Sequence, residues 1–193
     1  MTFLWSRVTR RLKKIRGDGD RPVLSPLSAE FDCSRFDCND DDGEINSFIQ
    51  NTALAHHRKS RSLTRVVHFS GDFRVIAYIT TSMGLVRLEL DGLPIQPVGC
   101  IHVAYLGVQR EYQHKGYGTN LLRLVIDQAR KLSSEVGCRG VGLNCRDRRL
   151  KWYEKQGFQC FDTGEDTGGP LNKMFFDIRS PSAPTDNEQR AST

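Results

Sequence analysis

The sequence predicts a single domain of the α/β (α+β) class, in which a sheet is flanked by helices. An apolar run from Cys100 to Val108 is long enough for a central strand, and the amphipathic run after it has helical spacing. Two further apolar segments meet at Gly71-Asp72, a dipeptide typical of a hairpin turn. With 193 residues the chain can bury one substantial core.

The chain divides by composition into an arm with a linker (1–23), the domain (24–179) and a polar tail (180–193) whose composition predicts disorder. The first sixteen residues carry six Lys/Arg and no acidic residue, without the apolar segment of a secretory signal. A solvated basic arm, a nucleic-acid contact and an interfacial helix anchored by Trp5 all fit this pattern, and an organellar presequence is the remaining alternative.

Three aspartates, Asp40 to Asp42, precede a helical pattern that runs from Ile45 to His56. Carboxylates at this place cap a helix and match its dipole, and a metal site is the alternative. The hairpin strands follow at 66–70 and 74–83. Residues 84–97, with two prolines, read as an irregular loop.

The second half of the chain alternates helices and strands. The predicted elements are a helix from Gly116 to about Glu135, a strand from Gly140 to Cys145, a short helix capped by Asp147 and ending at Lys155, and closing strands at Phe158–Phe161 and Met174–Ile178 on either side of a glycine-rich turn at 164–170.

The turn between the central strand and its helix reads Q-x-x-G-x-G, from Gln113 to Gly118. Glycines let the main chain approach a phosphate, and the N–H groups of the first helical turn point toward it. The dinucleotide fingerprint is excluded, because one glycine is missing and no acidic residue lies about 20 positions further on. The pattern therefore predicts an anion site.

Together with the later run Trp152 to Phe158, W-Y-E-K-x-G-F, this turn resembles the GNAT acetyltransferases over about Leu24 to Ile178. The resemblance implies the GNAT fold, with a mixed, mostly antiparallel sheet, acetyl-CoA as co-substrate and no metal. In that family the first motif holds the pyrophosphate of acetyl-CoA. The residues that this implies here are Gln113, His114, Lys115, Gly116, Tyr117, Gly118 and Thr119.

The resemblance also assigns the chemistry of acetyl transfer. Main-chain N–H groups of Leu106, Gly107 and Val108 would polarise the thioester carbonyl, and Tyr153 would give a proton to the leaving thiolate. The alternatives are a solvated Lys115 and a Tyr153 that only packs as an aromatic ring. Where many family members have an asparagine that contacts pantetheine, this chain has Arg146.

A general base is not evident from the sequence. Glu111, His102, His114 and Asp147 are available, but no pattern places any of them at the amine. We interpret His102 as a core histidine in the central strand.

A narrower resemblance, to the TacT/AtaT type of GNAT toxin, covers the segment before the hairpin. It implies acetylation of the α-amine of an aminoacyl-tRNA and a block of translation in the cytoplasm. It also implies a homodimer and a ribbon–helix–helix antitoxin. A base is unnecessary in that branch, because esterification lowers the pKa of the amine. The matching residues are Phe36, Asp37, Cys38, Ile45, Asn46, Phe48, Ile49 and Ser62 to Val66.

Residues 45–161 carry seventeen Lys/Arg against eight Asp/Glu, an excess that could serve the CoA phosphates or a larger polyanion. Solvated helix faces are one explanation. The other is a tRNA-binding rim that includes Arg58, Lys59, Arg61, Arg146 and Arg149. The alternative functions are acetylation of a small-molecule or protein amine and a non-catalytic CoA-binding module.

The six cysteines show no metal-ligand spacing, which predicts reduced core thiols in a cytoplasmic protein, with a structural zinc site as the alternative. No apolar run approaches the roughly 18 residues of a membrane span.

Overall fold

A computed structural model of the chain describes residues 21–40, 43–90, 92–166 and 169–180. The predicted basic arm at 1–16 lies outside these residues. So do Asp41, Asp42 and the predicted tail after position 180.

Seven strands form one sheet with the order β1-β2-β3-β4-β5-β7-β6. The pairs β1–β2, β2–β3, β5–β7 and β6–β7 are antiparallel, which agrees with the mostly antiparallel sheet that the sequence predicts. The strands are β1 (Pro22–Pro26), β2 (Leu63–Phe69), β3 (Ala77–Leu90), β4 (Leu93–Val108), β5 (Gly140–Cys145), β6 (Gln159–Asp166) and β7 (Gly169–Asp177).

The described residues form three longer helices, besides a short 3-10 helix at Arg110–Tyr112. The first, α1, has α geometry over Glu44–Ser47, π geometry over Phe48–Thr52 and α geometry again over Ala53–Arg58. The second and third are α2 (Tyr117–Leu132) and α3 (Asp147–Glu154). The predicted apolar face of α2 is confirmed, since Leu121, Leu122, Val125, Ile126 and Ala129 are all buried.

The described chain divides into two compact units. The first comprises residues 21–82 and Val103–Leu124, and the second comprises Met83–His102 and residues 125–180. In the first unit the core includes Phe36, Phe48, Ile49, Val66 and Tyr78. In the second unit a cluster forms around Leu88, Cys100 and Phe175.

The aspartate cap on α1 is confirmed for Asp40. The backbone N–H of Ile45 donates to Asp40 Oδ2 at 2.7 Å, so the carboxylate satisfies one of the helix's first donors. At α3 the prediction needs correction, because Arg146 occupies the cap position and Asp147 is the first helical residue. There Asp147 accepts a hydrogen bond from Asn172 Nδ2 at 2.6 Å.

The loop predicted at 84–97 is wrong, because β3 continues to Leu90 and β4 already begins at Leu93. Pro94 and Pro97 both lie within β4, before Gly99, whose carbonyl accepts the backbone N–H of Arg139 directly before β5. The turn predicted at 164–170 is likewise shorter, since β6 and β7 pair up to Asp166 and Gly169.

All six cysteines are free thiols, and Cys38, Cys100, Cys138 and Cys145 are buried. Among the described residues, no group of three or more His, Cys, Asp or Glu side chains could hold a metal ion. No helix in the described part of the chain is long and apolar enough to cross a membrane.

Candidate active site

The turn between β4 and α2 has a backbone suited to an anion. His114 and Gly116 both have left-handed conformations, with φ of 59° and 83°. Left-handed residues within a turn form concave groups of N–H donors, and the first N–H groups of α2 have no acceptor inside the helix. The space beside Gly116 is open, since a Cβ there would approach Asn120 Nδ2 no closer than 3.9 Å.

Side chains of the same turn hold it in place. Gln113 Nε2 donates to Cys38 O at 2.7 Å and to Val108 O at 3.1 Å, so this side chain fixes the turn. Lys115 Nζ donates to Glu111 O at 2.6 Å and lies 5.0 Å from the centre of the Tyr112 ring. The Gln113 amide is therefore engaged in holding the turn, whereas the Lys115 ammonium group keeps two further N–H donors.

The residues of the F-D-C motif explain how the turn is supported from a distant part of the chain. Asp37 O accepts the N–H of Arg110 at 2.8 Å, and Asp37 N donates to Gln109 Oε1 at 2.9 Å. The next residue, Cys38, donates its N–H to Asn46 Oδ1 at 3.0 Å. The motif thus links the start of α1 to the segment that leads into the turn.

The end of β4 is closely packed at Gly107. A Cβ at this position would lie 2.7 Å from the Tyr78 ring and 3.0 Å from both Phe36 and Ile45. Tyr78 is fully buried, and its hydroxyl donates to Ile45 O at 2.7 Å. The absence of a side chain at Gly107 therefore makes room for three core side chains, and its neighbours Leu106 and Val108 are half-buried.

A cavity of about 670 Å³ lies in the first unit, bounded by α1, the residues after it, β3 and β4. Its wall includes three rings in series: His56 meets the edge of Phe48 at 5.7 Å, and Phe48 stacks on Tyr105 at 3.8 Å. The lining also includes Ser62, Thr80 and Ala104. Because Tyr105 directly precedes Leu106, the cavity borders the stretch of β4 to which the resemblance assigns the thioester.

In the second unit, Tyr153 lies on α3 and is 9% exposed. Its ring contacts Trp152 at 4.7 Å and Phe158 at 5.8 Å, which are the packing contacts that the sequence suggests. The hydroxyl forms no hydrogen bond with any residue that the structure describes. Burial raises the pKa of Tyr153, and the Cys145 thiol adds to the increase while Arg149 opposes it. The phenol is therefore protonated near neutral pH.

The two basic residues predicted near Tyr153 differ in their surroundings. Arg146 pairs with Asp166 at 2.7 Å and donates to Gly169 O at 2.9 Å, contacts that tie α3 to the β6–β7 hairpin. Arg149 is exposed and forms no ion pair with a described residue. In the first unit Arg58, Lys59 and Arg61 are also exposed without an acidic partner among the described residues.

None of the four residues that the sequence offers as a general base is identified as one by its surroundings. Burial lowers the pKa of His102, which is half-buried, so its imidazole is neutral. Glu111 and His114 are exposed, and Asp147 accepts from Asn172. The position of His56 in the cavity wall could not be predicted from the sequence, because a regular helical pattern does not reveal the π turn before it.

Comparison with known proteins gives a match between residues 29–158 and the model of the acetyltransferase (GNAT) family. Among solved structures, AtaT complexed with acetyl-methionyl-tRNAfMet is similar, with 20% identity and a TM-score of 0.70, over 82% of this chain and 95% of that one. A tyrosine-to-phenylalanine variant of the toxin AtaT, bound to the C-terminus of the antitoxin AtaR and acetyl-CoA, has 19% identity and a TM-score of 0.68, over 82% and 94%.

A complex of KacTA with DNA is also similar, with 20% identity and a TM-score of 0.65, over 82% of this chain and 94% of that one. At these identities the likenesses show a shared fold.

Proposed function

We propose that this chain, which belongs to the acetyltransferase (GNAT) family, moves the acetyl group of acetyl-CoA to the α-amine of an aminoacyl-tRNA and so acts as a toxin that blocks translation. The observation that carries the proposal is the turn before α2. Its left-handed residues and its open space suit the pyrophosphate of CoA.

Acetyl-CoA would be held in two places within the first unit. The main-chain N–H groups from Gln113 to Thr119 would bind the pyrophosphate, and those of Leu106, Gly107 and Val108 would contact the thioester. A fixed donor aimed at the carbonyl oxygen that gains charge can contribute roughly 3–4 kcal/mol to the barrier reduction. Burial of Gly107 among core side chains supports such a rigid arrangement.

Tyr153 would supply the proton that the CoA thiolate needs as it leaves. The phenol is protonated at neutral pH, as an ordinary tyrosine is, and its hydroxyl is not engaged by a described neighbour. Burial raises its pKa and so makes it a weaker acid, which leaves the unengaged hydroxyl as the property that supports this role. No base is needed to prepare the amine of an aminoacyl ester, since esterification lowers the pKa of that amine.

The basic residues support a polyanionic acceptor. Arg58, Lys59, Arg61 and Arg149 are exposed and unpaired among the described residues, so their charges are available to phosphates. Arg146, at the start of α3, already pairs with Asp166, so it would contribute less than an unengaged charge. The tRNA complex of the similar protein AtaT supports this acceptor.

The partners follow from the same likenesses. AtaT is bound to the C-terminus of its antitoxin AtaR, and KacTA forms a complex with DNA. We propose a ribbon–helix–helix antitoxin, a homodimer and a cytoplasmic location for this chain.

The experiment is acetyl transfer from radiolabelled acetyl-CoA, offered in parallel to bulk aminoacyl-tRNA, uncharged tRNA and polyamines. We expect label only on aminoacyl-tRNA, at a rate that falls steeply with added salt because phosphate contacts release counterions. Label on polyamines or protein, with aminoacyl-tRNA unlabelled, would overturn the toxin proposal and leave an acetyltransferase of another specificity.

A further inference from the structure

The cavity of the first unit has a row of side chains along one face of α1. Glu44, Phe48, Thr52 and His56 all line it, at a constant spacing of four residues. In a straight α-helix each step of four advances by about 40°, so Glu44 and His56 would differ by about 120° around the axis. The π turn at Phe48–Thr52 takes more residues per turn and offsets this drift. The distortion of the helix thus brings His56 to the cavity.

Two polar groups of the cavity lack partners. Ser62 Oγ is buried and forms no hydrogen bond, the one such side-chain atom among the described residues. A buried hydroxyl without a partner costs about 1–3 kcal/mol, which a polar ligand could relieve after a rotation about the Ser62 side-chain bond. The ring nitrogens of His56 also form no hydrogen bond with a described residue. The neighbouring His57 differs, because its Nδ1 accepts the N–H of Thr64 at 3.1 Å.

The cavity is large enough for more than a side chain. About 670 Å³ falls in the range of small-molecule sites, and the stacked Phe48 and Tyr105 rings give it an apolar wall beside its hydroxyl groups. It also borders Ala104 and Tyr105, and each residue of a strand advances by about 3.3 Å, so it ends within a few ångströms of Leu106.

We propose that this cavity receives the acceptor amine and that the His56 imidazole takes the proton which the amine nitrogen loses during acetyl transfer. The inference rests on the proposed acetyltransferase function and adds the proton acceptor that neither the sequence motifs nor the fold identifies.

The lone pair of the neutral amine attacks the thioester carbonyl, a C–N bond forms, and the nitrogen becomes cationic. His56 takes one proton from that nitrogen, which leaves an amide when the C–S bond breaks. The electron pair of that bond leaves with the CoA sulfur, which then takes a proton from the general acid. Imidazole is the side chain best suited to accept a proton near neutral pH.

Other charged or titratable groups face the same cavity and must be included in any pH profile. Glu44 and Arg61 line it with opposite charges, and Tyr105 contributes a phenol. Along α1, His57 and Arg58 follow His56 directly.

The test compares His56→Gln with wild type. Glutamine keeps a polar side chain but cannot take a proton, so we expect kcat to fall by about 10²-fold or more, with the KM for acetyl-CoA unchanged. We also expect the ratio of wild-type to variant kcat to fall toward acidic pH, because protonation of the amine affects both enzymes alike and cancels in that ratio. Added imidazole should restore part of the variant's rate. The control, His57→Gln, removes the hydrogen bond to Thr64 and should keep the wild-type profile shape per folded molecule.

A loss of rate in His56→Gln that is equal at every pH and is not relieved by imidazole would overturn the assignment by indicating a structural role only. The assay uses whichever amine the wild-type enzyme acetylates. If that amine is a polyamine, the tRNA proposal fails while His56 is still tested, and if no offered amine is labelled, both proposals fail.

Discussion

Two buried tyrosines show how single residues divide between structure and chemistry. Tyr78 is fully buried and donates to Ile45 O, the usual state of a buried phenol. Tyr153 is almost as buried, yet its hydroxyl forms no hydrogen bond with a described residue. A hydroxyl in that state gains no stability from a hydrogen bond within the protein, which supports the proposed role in proton transfer.

We therefore expect Tyr153→Phe to lower kcat by about 10²-fold or more with little change in folding stability, because no hydrogen bond is lost. Tyr78→Phe is the matched control. It leaves Ile45 O without its partner and should reduce the free energy of unfolding by about 1 kcal/mol, with kcat per folded molecule kept. Steady-state kinetics and denaturant unfolding measure both, and a fully active Tyr153→Phe would contradict the role as acid.

Gly107 gives a prediction about stability alone. In Gly107→Ala the new Cβ would meet the Tyr78 ring at 2.7 Å, and overpacking of this kind costs typically about 1–3 kcal/mol. Gly137→Ala is the control, since a Cβ there meets nothing within 4 Å. Denaturant titration of both variants would decide, and equal stabilities would mean that the core around Gly107 can yield.

At the scale of elements, the turn before α2 could be predicted from the sequence because its signal is local. The glycines, the helix start and the apolar face of α2 all lie within about twenty residues. The support of the turn could not be predicted, because Gln109 and Gln113 bond to Arg35, Asp37 and Cys38, more than seventy positions away. The same holds for the π turn of α1, which leaves the helical spacing of apolar residues intact.

The turn predicts a specific effect on binding of acetyl-CoA. Gly116→Ala places an L side chain at φ 83°, which costs about 1–2 kcal/mol or shifts the turn, and either change should weaken binding at the pyrophosphate. Gly71→Ala imposes the same strain at φ 78° in the β2–β3 connection, with equally open space. Calorimetric titration with CoA should show a raised Kd only for Gly116→Ala. Equal affinities of the two variants for CoA would show that the turn does not bind it.

The molecule as a whole carries buried thiols that couple its stability to alkaline pH. Burial is the main cause that raises the pKa of Cys100 from 9.0 to about 11 and that of Cys38 to about 12. Between pH 9 and 11 the unfolded chain loses these protons while the folded chain keeps them. Fewer protons are then bound in the unfolded state, so the free energy of unfolding falls as pH rises.

Removal of one thiol isolates this effect. Cys100→Ala should reduce the slope of the unfolding free energy against pH by at most about 1.4 kcal/mol per pH unit over that window. Urea unfolding at several pH values measures it. A slope identical to that of wild type would show that Cys100 already ionises in the folded protein.

At the scale of the whole molecule, the cavity of the first unit could not be predicted from the sequence. Its walls come from positions 43–62, 80–82 and 104–105, which share no local pattern. The family motifs predict the residues that bind acetyl-CoA, because each motif lies in one short segment. The cavity proposed for the acceptor amine could not be predicted, because it depends on how α1, β3 and β4 come together. The excess of basic residues over positions 45–161 was visible in the sequence, but the ion pair of Arg146 with Asp166 was not.

The most direct test of the central claim is the chemical identity of the product. After reaction with acetyl-CoA and aminoacyl-tRNA, mild alkali releases the amino acid from the tRNA, and mass spectrometry locates any added acetyl group. We expect an amino acid that is acetylated on its α-nitrogen and a tRNA whose nucleotides are unmodified. An acetyl group on a nucleotide, on a side-chain amine or absent from the tRNA altogether would contradict it.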